Sequence, residues 1–150
     1  ATNTLNPRQQ DPLDVVSGIT RGRKADVVFE VTGNPNVIPT LPSLLHRSGR
    51  LILLGSPRGK TTIDFHDEVH TFGQRIIGAH ASNHPRVETP FNQWTHARNI
   101  ELYLDFLEAG LVQTADLITH RFPWCEAATV YRSLMEDRTP TLGVILNWED

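Results

Sequence analysis

From Ala25 the chain reads Ala-Asp-Val-Val-Phe-Glu-Val, and from Arg50 it reads Arg-Leu-Ile-Leu-Leu. Neither run alternates apolar with polar residues, so each is predicted to be a parallel strand covered on both faces. The first strand is expected over Ala25 to Val31 and the second over Arg50 to Leu54. A third, more polar towards its end, is expected over Arg75 to Ala81. Ahead of the first strand, Leu13, Val16 and Ile19 recur at helical spacing behind Asp11 and Pro12, a cap and a first-turn residue, which predicts a short amphipathic helix closed by Arg21-Gly22.

Between the first two strands, Pro39 and Pro42 cannot both sit inside a regular helix. The pattern predicts an irregular stretch, then a helix from Pro39 or Pro42 to Arg47, closed by Ser48-Gly49 ahead of the second strand. Thr61 to Phe65 reads as a short extended piece and His66 to Phe72 as one or two helical turns. Asn92 to Ala109 carries Trp94, Ala97, Ile100, Leu104 and Leu107 at helical spacing, with Gly110 to end it, and is the longest predicted helix. Leu117-Ile118 reads as a short strand, Trp124 to Glu136 as a last helix and Leu142 to Trp148 as a last strand. Alternation of strand and helix favours an α/β fold.

The length of 150 residues fits one domain, taken here as residues 1–150. A net charge of -3, with Lys and Arg scattered, argues against a nucleic-acid surface. No apolar run reaches membrane-spanning length. A single cysteine, Cys125, excludes an internal disulfide and a cysteine-cluster zinc site, which fits a reducing, cytoplasmic setting. It reads as a buried or half-buried packing residue.

Candidate chemistry collects at the strand ends. The first two strands run into glycine turns, Thr32-Gly33-Asn34 and Gly55-Ser56-Pro57. Such turns either bring backbone close to a flat ligand, since glycine has no Cβ, or are ordinary strand exits. Ligands of open α/β sheets bind at the carboxyl ends of the strands. The chain has no G-x-G-x-x-G and no phosphate loop. Glu30 is an unusual residue for a strand interior; a buried carboxylate needs partners, either neighbouring backbone or an arginine at the strand end. His66 and His70 stand four apart, a zinc-compatible spacing, but Asp67 occupies the place of the glutamate in H-E-x-x-H, and a solvated surface turn fits them better. His80 either faces a ligand or is a hydrogen-bonded packing residue, and His120 reads as structural.

In order and spacing, Ala25 to Gly33, Ser48 to Gly55, Ile76 to Ala79, Leu117 to Pro123, Glu126 to Ala128 and Gly143 to Leu146 together resemble the carboxyl-terminal part of a zinc-type medium-chain alcohol dehydrogenase. The resemblance runs from about Thr4 to Trp148. It implies part of a doubly wound Rossmann-type parallel sheet, its fourth to sixth strands, with NAD or NADP as cofactor. By that resemblance Val31, Thr32 and Gly33 line the path from adenosine ribose to nicotinamide. Leu54, Gly55 and Ser56 approach the carboxamide through backbone groups, and Ala79, His80 and Ala81 lie beside the nicotinamide. The position matching a family Arg or Lys near the pyrophosphate is Gly143.

The family's glycine fingerprint and zinc-bearing domain are expected to precede these residues, so no zinc ligand carries over. The chain by itself is expected to be catalytically incompetent. It serves either as the cofactor-binding portion of an alcohol or polyol dehydrogenase or as a non-catalytic piece for dimerisation or weak nucleotide binding. The resemblance also implies a homodimer paired through Arg75 to Ala81.

Overall fold

In a computed structural model of the chain, which describes Ala1 to Trp148, the backbone gathers into two compact units, Ala1–His84 and the residues from Pro85 onward. Each is described by itself.

The first unit is built on three parallel strands in the order β1-β2-β3: β1 (Ala25–Glu30), β2 (Leu45–Leu53) and β3 (Arg75–Gly78). Helix α1 (Pro12–Ile19) precedes them, with the Asp11 carboxylate accepting the Leu13 N–H at 2.7 Å and Pro12 in its first turn, as predicted. Val28 and Glu30 of β1 share a face with Leu51 and Leu53 of β2 and with Ile76 of β3, because side chains alternate along a strand. That face holds the core. Ile38, Leu45 and Leu51 are buried in it, Leu51 to 1% exposure, with Val28, Leu41, Leu53, Ile63 and Ile76 packed around them. The opposite face is open at its edge strand: Phe29 is 59% exposed. The apolar run correctly signals a strand, but only one of its faces is covered.

The helix predicted to end at Arg47 does not form. Two single 3-10 turns, Ile38–Thr40 and Pro42–Leu44, take its place, and the chain is extended from Leu45. Each turn begins beside a proline, which presets its φ but denies the next turn a donor, so the helix restarts instead of propagating. Ser48-Gly49 lies within β2 as a bulge. β1 passes directly from Ala25 to Val27 while β2 travels from Leu45 to Arg50, and Ser48 takes φ 63° to make this possible. His46 Nε2 meets Asp26 Oδ1 at 2.9 Å across the bulge. Hydrogen bonding from Arg23 above all, with a further bond from His46, holds the exposed Asp26 carboxyl at about 2.

Thr61 to Asp64 pairs with no strand, and Phe65–His70 winds as a π-helical turn. Buried Gln74 ties this region down: its Nε2 donates to the Pro42 carbonyl at 3.0 Å and its N–H to Val69. β3 stops at Gly78, short of the predicted Ala81, where a 3-10 turn (Ala81–Asn83) begins.

The second unit holds α2 (His96–Glu108), then β4 (Ile118–Pro123), α3 (Ala127–Glu136) and β5 (Gly143–Asn147). β4 and β5 pair in parallel, so α3 is the crossover between them, and Val130 is its buried anchor. Helix α2 starts later than predicted, leaving Trp94 outside it. Thr95, itself buried, caps it through Oγ1 on the Arg98 N–H at 3.1 Å. Gly110 ends it at φ 68°. Trp124–Glu126 is a 3-10 turn before α3, and Cys125 is exposed rather than packed. Trp124 and Trp148 stack with ring centroids 5.3 Å apart. A side chain at Gly143 would bring its Cβ to 2.5 Å from the Leu117 carbonyl oxygen, so an Arg or Lys cannot replace it on this backbone.

The core assignment has a direct consequence. Replacing Leu51 by Ala should lower unfolding stability by about 2–5 kcal/mol in a urea titration, since the side chain is nearly fully enclosed. A loss within ±0.5 kcal/mol, the range of an ordinary surface substitution, would show that the core lies elsewhere.

Candidate functional site

Parallel pairing delivers the carboxyl ends of β1, β2 and β3 to one edge of the sheet. Val31-Thr32-Gly33 follow β1, Leu54-Gly55-Ser56 follow β2, and Ala79-His80-Ala81 follow β3. Backbone bonds continue past the strands. Leu54 and Gly55 donate their N–H groups to the Glu30 carbonyl at 3.0 and 2.7 Å, and Ala79 donates to the Leu53 carbonyl at 3.0 Å. The predicted site residues are therefore brought together along one edge, the β2 and β3 tips each hung from the strand beside it.

Glu30 closes the first two tips. Its side chain is 2% exposed. Oε1 accepts three hydrogen bonds, from the Thr32 N–H at 2.7 Å, the Thr32 hydroxyl at 2.6 Å and the Gly33 N–H at 2.9 Å. Neighbouring backbone, not an arginine, is thus the partner the carboxylate required. These bonds, the Thr32 hydroxyl's first, draw its pKa below the usual glutamate value against the opposing cost of burial. Oε2 is buried and accepts no hydrogen bond among the described residues. It lies against Gly55, where an added Cβ would meet Oε2 at 2.6 Å, the Gly33 nitrogen at 2.7 Å and the Val31 carbonyl carbon at 3.0 Å. Gly33 adopts φ 69°, and an added Cβ there would stand 3.4 Å from the Ser56 carbonyl oxygen. Both glycines are required, one by space and one by conformation.

Outside this knot the tips present apolar surface. Val31 and Leu54 are 63% and 53% exposed. Thr32 turns its hydroxyl inward, since Oγ1 also accepts the Asn34 N–H at 3.1 Å. His80 is exposed, and its Nδ1 accepts the Ser82 N–H at 3.1 Å, capping the 3-10 turn. Beside the β1 tip runs a groove of about 560 Å³, ligand-sized, lined by Leu13, Phe29, Val31 and Leu41 together with Glu30 and Thr32. The sequence signal for the knot was present in Glu30-x-Thr32-Gly33: a carboxylate followed two and three residues later by donors at a strand end.

The other candidates do not assemble a centre. His66 and His70 have ring centroids 5.8 Å apart, but both are exposed and Nδ1 of His66 is taken up by Asp67 at 2.7 Å. Among the described residues no three His, Cys, Asp or Glu side chains gather closely enough to hold a metal ion. The donors among the described residues do not fit a catalytic zinc. In the second unit, half-buried His120 joins Thr119 Oγ1 through Nδ1 at 2.9 Å and stacks on Phe122, beside a smaller groove of about 200 Å³.

A glycine-bearing edge on a parallel sheet is shared by many nucleotide-binding folds, and comparison with known proteins decides among them. Residues 1–97 match the family model described as zinc-binding dehydrogenase. The chain belongs to the zinc-binding dehydrogenase family. It is 29% identical over 123 residues to an L-threonine 3-dehydrogenase of Bacillus subtilis, covering 82% of this chain and 32% of that protein. It is 30% identical over 135 residues to a putative D-xylulose reductase of Rhizobium meliloti, covering 90% and 35%. It superimposes on an alcohol dehydrogenase of Thermotoga maritima with a TM-score of 0.70 at 23% identity, covering 95% of this chain and 36% of that one. For benzyl alcohol dehydrogenase of Acinetobacter calcoaceticus the TM-score is 0.74 at 17% identity, covering 98% and 38%. The chain spans about a third of the length of the curated relatives it matches. Its fold is that of the carboxyl-terminal, Rossmann-type part of these dehydrogenases.

The packing at Gly55 makes a sharp expectation. Gly55→Ala should destabilise the chain by about 1–3 kcal/mol through overpacking, read as a lower urea midpoint, because its Cβ meets backbone atoms that cannot rotate away. An unchanged midpoint would contradict the close approach.

Acid should act through Glu30. Its folded pKa is depressed, so its contribution to stability is whole above the unfolded-state value and is lost as pH falls through the folded one. The advantage of native protein over Glu30→Gln, followed by urea unfolding, should shrink as pH falls below the ordinary glutamate pKa of about 4.3. A pH-independent difference would deny that the charged form is the one being held.

Proposed function

We propose that this chain forms one wall of a nicotinamide dinucleotide site in a dehydrogenase acting on an alcohol or polyol. The observation that carries the reading is the single edge on which the tips 31–33, 54–56 and 79–81 meet in a chain of this family. Exposed Val31 and Leu54 offer apolar contact to flat rings, while Gly33 and Gly55 remove the side chains that would hold a ligand off the backbone. Ala79, His80 and Ala81 continue the same edge, with His80 exposed on it. The dinucleotide, when bound, accepts or delivers hydride. The chain's own part is to bind it and fix its orientation.

Names among the relatives, L-threonine 3-dehydrogenase, putative D-xylulose reductase and sorbitol dehydrogenase, support a small hydroxylated substrate for the protein as a whole. The bacterial dehydrogenase solved with NADH supports a nicotinamide cofactor for the fold, and choice between NAD and NADP is left to measurement. Calorimetry on this chain should give binding of NAD or NADP tighter than about 1 mM (-4.1 kcal/mol), without turnover of alcohols. Turnover by the purified chain, or no heat with either dinucleotide, would overturn the reading.

Assembly is part of the proposal. β3 is the last strand in the sheet order, its outer edge is unpaired among the described residues, and Ile77 on it is exposed. Two copies pairing there about a two-fold axis would extend the sheet. Sedimentation should find dimers for the native chain and monomers for Ile77→Lys; identical sedimentation of the two would remove β3 as the interface.

A further inference from the structure

We propose that Glu30 is a positioning residue that couples the tips of β1 and β2 into one rigid ligand-facing piece. The proposal rests on the dinucleotide reading above only for its binding arm. Glu30 grips in two directions. Its side chain holds the Thr32 and Gly33 donors of its own tip, and its main-chain carbonyl receives both Leu54 and Gly55 of the neighbouring tip. The second carboxylate oxygen, buried and unpartnered among the described residues, fills the space against Gly55. An oxygen without a donor in that position is costly. It is tolerated because the same rigid carboxylate places three bonds on its other oxygen.

The geometry makes the two tips interdependent. If the 31–33 turn relaxes, the Gly33 nitrogen and Val31 carbonyl carbon, which crowd the open side of Gly55, move with it. The Glu30 carbonyl then loses its fixed direction, and with it the bonds to Leu54 and Gly55. Neither of these bonds involves the Glu30 side chain. A purely local role would therefore leave them alone, whereas a coupling role would not. Thr32 adds a graded control, since its hydroxyl supplies one of the three bonds while its N–H supplies another.

The test is amide hydrogen exchange on the full chain, paired with NAD and NADP titrations, for native protein, Glu30→Gln, Thr32→Val and Thr32→Ser. In Glu30→Gln, exchange at Leu54 and Gly55 should accelerate about tenfold or more, although their acceptor is untouched. Dinucleotide affinity should fall about tenfold through lost preorganisation. Thr32→Val should give a smaller change of the same kind, and Thr32→Ser, which keeps the hydroxyl, should restore native behaviour. If Glu30→Gln does not fold, the threonine pair carries the comparison alone. Acceleration confined to Thr32 and Gly33 overturns the coupling. Accelerated exchange at Leu54 and Gly55 with unchanged affinity overturns the link to binding. A native chain that binds neither dinucleotide defeats the functional reading, while the exchange arm still decides the coupling.

Discussion

A single desolvated carboxylate at the end of β1 organises the part of this molecule that matters for function. Parallel pairing brings three strand tips to one edge, but pairing ends where the strands end. Beyond that point Glu30 takes over, with its side chain closing one turn and its carbonyl anchoring the next. A charged oxygen buried to this degree is stable only with donors pointed at it. The residues after β1 supply those donors, so the cost of burying the charge becomes the force that shapes the turn. The glycines follow from the same constraint, since Gly55 is small because Glu30 Oε2 lies where a Cβ would go.

The remainder of the first unit supports that edge. Leu51 at the centre of β2 and the side chains around it bury one face of the sheet. Ile38 of the first 3-10 turn and Leu41 beside it pack there, and Gln74 ties Pro42 to Val69 of the π-helical turn. At the opposite end of β1 and β2, the bulge carrying Ser48 takes up the mismatch between the strands, with Asp26 bonded to Arg23 and His46. The bulge thus lies away from the strand tips, where register sets which atoms face a ligand.

Much of this was legible in the residues, for physical reasons. Val27 to Phe29 and Leu51 to Leu54 are short apolar runs that suit strands of a sheet, and the glycines after them mark the tips. Asp11-Pro12 and Gly110 mark helix ends through unambiguous backbone preferences. What escaped depends on partners outside the local window. Pro39 and Pro42 allow helical φ angles one turn at a time, so whether a helix forms is decided by packing at Ile38 and Leu45. Phe29 belongs to a run that suits two covered faces, yet sequence alone does not say what lies on the second. Cys125 resembles a packing residue by type, and its exposure is set by where Trp124–Glu126 turns. Glu30 could be flagged as needing partners, but only the turn geometry shows that both tips hang from it.

On the proposed reading the tips 31–33, 54–56 and 79–81 act together as one dinucleotide-facing edge. Following backbone amide resonances of the chain during titration with NAD, and in parallel with NADP, addresses it residue by residue. Shifts should concentrate at Val31 to Gly33, Leu54 to Ser56 and Ala79 to Ala81, with the second unit's groove around His120 unmoved. Shifts centred on that second groove, or spread without regard to the three tips, would contradict it.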